Sequence, residues 1–270
     1  MTTKASVTVP ETVVISGASA GLGAALAMAY ATPGRKLGLI ARDSARLEAV
    51  AASCRAKGAT VETAILDVRD AAGLASWVAT FDAKTTIDLV IANAGVYTGA
   101  GPNGAMESTA DIAWMVSTNV IGTANLVQPV VERMRARKRG HIAIVGSLAA
   151  LQPLADAPGY SASKAGVMAY GEALQELLIP DRITVSLIYP GHIETAQVEG
   201  HVGALPHIMK PEAAAAIIKR GLDRGKTFIV FPWQLLALIR AGRHLHWRLR
   251  ALAGRDFRFH INRDEPPAGK

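Results

Sequence analysis

The stretch Thr12-Val-Val-Ile-Ser16-Gly17-Ala-Ser-Ala-Gly21-Leu-Gly23, continuing through alanine-rich residues to Tyr30, decides how the chain folds. A short β-branched run ends at a glycine turn and helix-forming residues follow at once, so the spacing predicts strand, turn, helix. There the turn's backbone N–H groups and the positive end of the helix dipole can hold a pyrophosphate, and missing side chains let it approach.

Working outward, the unit recurs. Strands are predicted at Lys36–Ala41, Thr60–Leu66, Leu89–Ala92, Ile142–Val145, Thr184–Tyr189 and Phe228–Phe231. Helices are predicted at Ser44–Lys57, Ala71–Phe81, Gly159–Leu178 and Pro211–Arg224, and Met106–Arg137 reads as two helices meeting near Asn119. Near-continuous apolar strands such as Val13–Ile15 and Leu89–Ile91 suit a parallel sheet buried on both faces. The expected fold is α/β, a single Rossmann-type doubly wound parallel sheet of about seven strands, order 3-2-1-4-5-6-7, with a C-terminal helical extension. One domain is expected over residues 1–232 and a basic amphipathic extension over 233–270.

Of the 270 residues half are hydrophobic, which supplies a substantial core. Cys54 is the single cysteine, so no intrachain disulfide is expected and a reduced, cytoplasmic setting fits. Met1 to Pro10 lacks the apolar run of a signal peptide, and no stretch reaches the roughly 18 apolar residues of a membrane span. The net charge of +7 is concentrated near the C-terminus. There Arg240, Arg243, Arg248, Arg250, Arg255, Arg258, Arg263 and Lys270 oppose Asp256, Asp264 and Glu265. The charge therefore describes one segment and not a nucleic-acid-binding surface.

The second strand ends beside the position of an adenosine ribose, where a carboxylate would select NAD by repelling a 2′-phosphate. Ala41 and Arg42 stand there instead, and a guanidinium suits phosphate, so NADP(H) is the expected cofactor over NAD(H). Tyr160-Ser-Ala-Ser-Lys164 sets a phenol and an ammonium one helical turn apart on one face. A nearby lysine charge and an oxidised nicotinamide are together expected to draw the phenol pKa down and make Tyr160 a usable acid/base. Ser147 directly follows the fifth strand, at the sheet's carboxyl edge where ligands bind.

The G-x-x-x-G-x-G turn, Asn93-Ala94-Gly95, Asn119 in Ser-Thr-Asn-Val, Ser147, Tyr160-x-x-x-Lys164 and Pro190-Gly191 together resemble the short-chain dehydrogenase/reductase (SDR) family over roughly residues 10–231. The resemblance implies an oxidoreductase that interconverts an alcohol and a carbonyl compound by hydride transfer. Asn119, Ser147, Tyr160 and Lys164 would be its catalytic residues, with Asn119 holding a water that links the lysine to solvent. It implies cofactor contacts from Gly17, Ser19, Gly21, Leu22, Gly23, Arg42, Asp67, Val68, Asn93, Ala94, Gly95, Tyr160, Lys164, Pro190, Gly191, Ile193 and Thr195. Asp67 is read either as an adenine contact or as a helix N-cap.

Residues 192–210 occupy the position of the family's substrate lid, and Ser147, Leu148, Leu151, Tyr97, His192, Val198 and Leu205 are read as pocket lining or as ordinary packing. No metal site is expected. The resemblance also implies a homodimer or homotetramer built on the long helices within 106–137 and 159–178. Beyond Trp233, an apolar run leads into an Arg/His/Trp stretch. That pattern suits peripheral contact with the inner face of a membrane, or a helix that packs on a subunit or covers the cleft. A small-molecule alcohol or carbonyl substrate is the expected partner. A non-catalytic dinucleotide sensor or scaffold, an NAD-using dehydrogenase and a membrane-associated module are the alternatives.

Overall fold

The computed structural model describes residues 10–196 and 200–262, without the side chains of Ala253 and Asp256. Seven parallel strands form one sheet in the order β3-β2-β1-β4-β5-β6-β8. They are β1 (Thr12–Ser16), β2 (Lys36–Ala41), β3 (Thr60–Ile65), β4 (Leu89–Ala92), β5 (Gly140–Val145), β6 (Ile183–Pro190) and β8 (Phe228–Phe231). β1 and β4 are buried along their whole length, as strands covered on both faces must be.

Strand periodicity sends alternate side chains to opposite faces. Val13 and Ile15 therefore join one core with Leu26, Leu39, Leu47 and Ile218, while Val14 joins the other with Ile40, Val90, Val127 and Leu187. Helices α1 (Gly21–Tyr30), α2 (Ser44–Ala56) and α7 (Pro211–Leu222) contribute to the first core, and α3 (Ala71–Lys84), α5 (Gly122–Ala136) and α6 (Pro158–Leu177) to the second. The expected junction near Asn119 is a π-helical turn at Ser117–Ile121, which joins α4 (Thr109–Val116) to α5 without a break in chain direction. A Ser108–Asp111 capping box starts α4.

The seventh strand of the sheet is the eighth of the chain. Within the segment expected to be a lid, β7 (His201–Gly203) leaves the main sheet and pairs antiparallel with β9 (Phe259–Ile261). The C-terminal extension is accordingly more than helical. After α8 (Trp233–Gly242) and α9 (Trp247–Ala253) the chain returns to the body as β9. Buried Asp156 holds it there, accepting hydrogen bonds from Arg258 Nε at 2.7 Å and from Phe259 N–H at 3.1 Å. Ile261 N–H donates to Ala100 O at 2.8 Å and Asn262 N–H to Gly200 O at 2.8 Å.

Candidate active site

Gly17 and Gly21 both take left-handed backbone, at φ +66° and +53°, which favours glycine. The turn is also too tight for side chains. A Cβ on Gly23 would lie 2.0 Å from Gly17 O, and one on Gly17 would lie 2.9 Å from Ala94 Cα. Asn93 locks this junction, its Nδ2 donating to Ser16 O at 3.0 Å while Ser16 Oγ accepts from the Asn93 and Ala94 N–H groups. No side chain caps α1, so its first-turn N–H groups face the trough above the turn. A phosphate-bearing dinucleotide fits this cradle, because the glycines leave its space open and the helix terminus offers donors to its anion.

Arg42, directly after β2, lies 3.5 Å from Asp67, which also binds Arg69 Nη2 at 2.8 Å. Asp67 is not the cap of α3. Asp70 takes that role by accepting from Gly73 N–H, whereas Asp67 accepts from Arg69 N–H in a local turn. Burial pushes the Asp67 pKa up, but its hydrogen bonds with Arg69 and the charges of Arg69 and Arg42 outweigh this and hold it below the usual value. A second arginine, Arg46, lines the same trough from the first turn of α2, held by Asp43 at 2.7 Å. Sequence reasoning missed it, although it follows Arg42 by four positions.

At the other end, α6 carries Tyr160 and Lys164 one turn apart. Lys164 is buried, and Nζ donates to Val145 O at 3.1 Å. Loss of solvent pulls its pKa down to about 8. Ser147 follows β5 and opens the 3-10 turn at Leu148–Ala150, where its Oγ accepts from Ala149 N–H. Burial of the Tyr160 phenol raises its pKa, which a hydrogen bond with Ser147 only partly offsets. The expectation that Lys164 draws this phenol down is not met in the chain alone. Its Nζ is 5.9 Å from the Tyr160 ring centre, and burial weakens its own hold on a proton.

Asn119 stands one layer behind this cluster. Its Oδ1 accepts from Val96 N–H at 2.7 Å, and its Nδ2 donates to Val96 O and Ser163 Oγ. The amide thus braces the extended segment that follows β4, at Val96. A Cβ on Gly95 would come within 3.2 Å of Asn119 Oδ1 and 3.3 Å of Lys164 Nζ, so this glycine is what lets the two lie close.

One cavity of about 1430 Å³ runs from the glycine turn to Tyr160 and beyond. Its lining takes in Gly17, Ser19, Gly21, Leu22, Gly23, Arg42, Asp67, Val68, Asn93, Ala94, Gly95, Ser147, Tyr160, Lys164, Pro190, Gly191, Ile193 and Thr195, together with Tyr97, Leu148, His192 and Leu205. Thr195 sits over the turn, where a Cβ on Gly21 would meet its Cγ2 at 2.9 Å. Tyr97 meets Tyr160 edge to face at 4.8 Å, and His192 Nδ1 bonds Pro206 O at 3.0 Å. Leu151 does not reach the cavity. It packs instead against the core that holds Leu148 and Met168, which makes it ordinary packing. Val198 lies outside the described residues. The extension, read as a helix on a membrane, on a subunit or over the cleft, does reach the cavity wall, through residues not named from the sequence, among them Leu235, Ile239, Leu245, Trp247 and Phe259. No local motif announces them.

The sequence model for the short chain dehydrogenase family matches residues 11–202. An uncharacterized oxidoreductase of Myxococcus xanthus is 34% identical over 226 residues, covering 83% of this chain and 88% of that protein. A 3-dehydrosphinganine reductase of Arabidopsis thaliana is 32% identical over 206 residues, covering 75% of this chain and 62% of that protein. Among solved structures, a short-chain dehydrogenase from Sphingobium yanoikuyae in complex with NADPH superposes with a TM-score of 0.76 at 27% identity, covering 95% of this chain and 98% of its own. With a match spanning most of the sheet and a relative of this similarity over most of its length, the chain belongs to the short chain dehydrogenase family of oxidoreductases.

Proposed function

We propose that this protein is an NADP(H)-dependent reductase that interconverts a bulky, largely apolar ketone and its secondary alcohol. One observation carries the reading: a single cavity joins the glycine turn and Arg42 to Tyr160, Ser147 and Lys164. The NADPH complex of the Sphingobium yanoikuyae neighbour and the keto substrate in the name of the Arabidopsis thaliana relative support it.

The first-turn N–H groups of α1 would hold the pyrophosphate, and Arg42, with Arg46 beside it, the 2′-phosphate. Asn93 and Thr195 would frame the glycine turn, and Pro190, Gly191 and Ile193 would wall the nicotinamide end. When bound, NADPH supplies the hydride that reduces the carbonyl carbon. Tyr160 then gives its phenolic proton to the carbonyl oxygen, and its raised pKa keeps that proton available at neutral pH. Ser147 donates a hydrogen bond to the same oxygen and stabilises the charge that develops there. Lys164, its pKa drawn down to about 8, restores the proton to Tyr160. Asn119 works by bracing Val96 and by keeping the wall beside Lys164 in place. Leu148, Leu205, Leu235 and Phe259 give the far end an apolar character suited to a hydrocarbon body.

The test follows NADPH oxidation by purified protein across ketones of increasing alkyl bulk, with Tyr160→Phe alongside. Wild type is expected to turn over and to favour the bulkier ketones. The variant should keep NADPH binding while losing on the order of a thousandfold in rate. Tight NADPH binding by wild type with no turnover of any ketone would instead favour a dinucleotide-binding scaffold.

A further inference from the structure

We propose that the face formed by α8 and α9 docks on an anionic phospholipid bilayer, with the cavity mouth turned toward the lipid. α8 is apolar in sequence, yet none of its residues is fully buried. Leu235 and Ile239 pack toward the core, which leaves Trp233 72% and Leu238 59% exposed. On α9, Trp247, Leu249 and Leu252 are more than half exposed as well. Leu238, Leu245, Trp247 and Phe257 both line the cavity and stand open to solvent, so the rim of the mouth is apolar. A water-facing rim of this kind is unusual for a monomer surface and marks a contact.

Charge identifies what makes that contact. Between Trp233 and Arg258 there are five arginines and one acidic residue, Asp256. Arg46, Arg55, Arg133, Arg135 and Arg137, on α2, α5 and the end of α5, each face a carboxylate. Arg240, Arg243 and Arg248 are exposed, and no carboxylate among the described residues pairs with them. Arg248 lies 5.3 Å from the Trp247 ring centre, which keeps cation and indole at one level. Exposed indoles and leucines on the same two helices as unpaired arginines match the boundary between acyl chains and anionic headgroups. A second copy fits poorly, since a two-fold contact would bring this positive face against itself. Nucleic acid would leave the leucines uncovered. No helix among the described residues is long and apolar enough to cross a bilayer, so the contact is peripheral.

The experiment is co-sedimentation of the full chain with vesicles of phosphatidylcholine alone and of phosphatidylcholine mixed with phosphatidylglycerol, at low and high salt. Binding is expected only with the anionic lipid, with a blue shift of tryptophan emission and loss at high salt. The triple variant Arg240→Gln, Arg243→Gln, Arg248→Gln lies outside the cavity lining and should keep NADPH binding. Its partitioning should fall on the order of a hundredfold, at roughly fivefold per arginine. Trp233→Ala should weaken binding and reduce the blue shift. Absence of binding, or equal partitioning of wild type and triple variant, would overturn the proposal. So would a lipid-free dimer that Trp233→Ala dissociates, which would assign the face to self-association.

Discussion

Lys164→Met is expected to make the folded chain more stable at neutral pH while removing turnover. The side chain is buried, and among the described residues no carboxylate pairs with its ammonium. Burial lowers its pKa from 10.5 to about 8. At about 1.4 kcal/mol per unit, a shift of that size costs the folded state about 3 kcal/mol when the lysine is charged. Methionine has similar length and no charge, but it gives up the bond to Val145 O, worth about 1 kcal/mol. The net expectation is a gain of about 2 kcal/mol.

The pH dependence supplies the sharper check. Because the folded pKa is the lower one, the unfolded chain binds more protons between pH 8 and 10.5, and wild-type stability rises across that window. The penalty is present in full below pH 8, so the advantage of Lys164→Met should be largest there and shrink toward pH 10.5. Urea unfolding followed by circular dichroism, without cofactor, measures both. A variant less stable than wild type at neutral pH, or a gap that does not change through the window, would refute the claim that the site holds an unpaired buried charge. The cost is the kind a catalytic group imposes on its scaffold.

Two further outcomes are expected. Arg42→Ala should weaken NADPH binding by roughly ten- to a hundredfold, the worth of one charge-assisted contact, and leave NADH binding nearly unchanged in a nicotinamide fluorescence titration. Equal loss for both would mean that Arg42 merely orders the Asp67 turn. Asp156→Ala should free Arg258 and the Phe259 N–H, raising hydrogen exchange at Ile261 and tryptic cleavage at Arg258 by roughly ten- to a hundredfold. Unchanged exchange there would show that β9 is held by its strand pairing with β7 alone.

Much of the architecture and of the candidate site was legible in the chain because it depends on neighbours in sequence. Alternation in Val13-Val14-Ile15 sets which side chain meets which face, the glycines at 17, 21 and 23 open a turn that no other residue permits, and four residues of helix bring Tyr160 and Lys164 to one side. Other features came only with tertiary structure. The charge state of Lys164 and the raised pKa of Tyr160 follow from desolvation, which a sequence interval does not report. Asn119 is absorbed by Val96 and Ser163, and Leu151 turns into the core, because the space around each is set by elements far along the chain. The extension shows this most plainly. A basic apolar run suggested helices on a membrane or over a cleft; what it did not announce is the return that follows them, where Asp156 meets Arg258 across 102 residues and β9 comes back onto β7. That closure is decided by a buried carboxylate and a strand edge, long-range partners that no local pattern encodes.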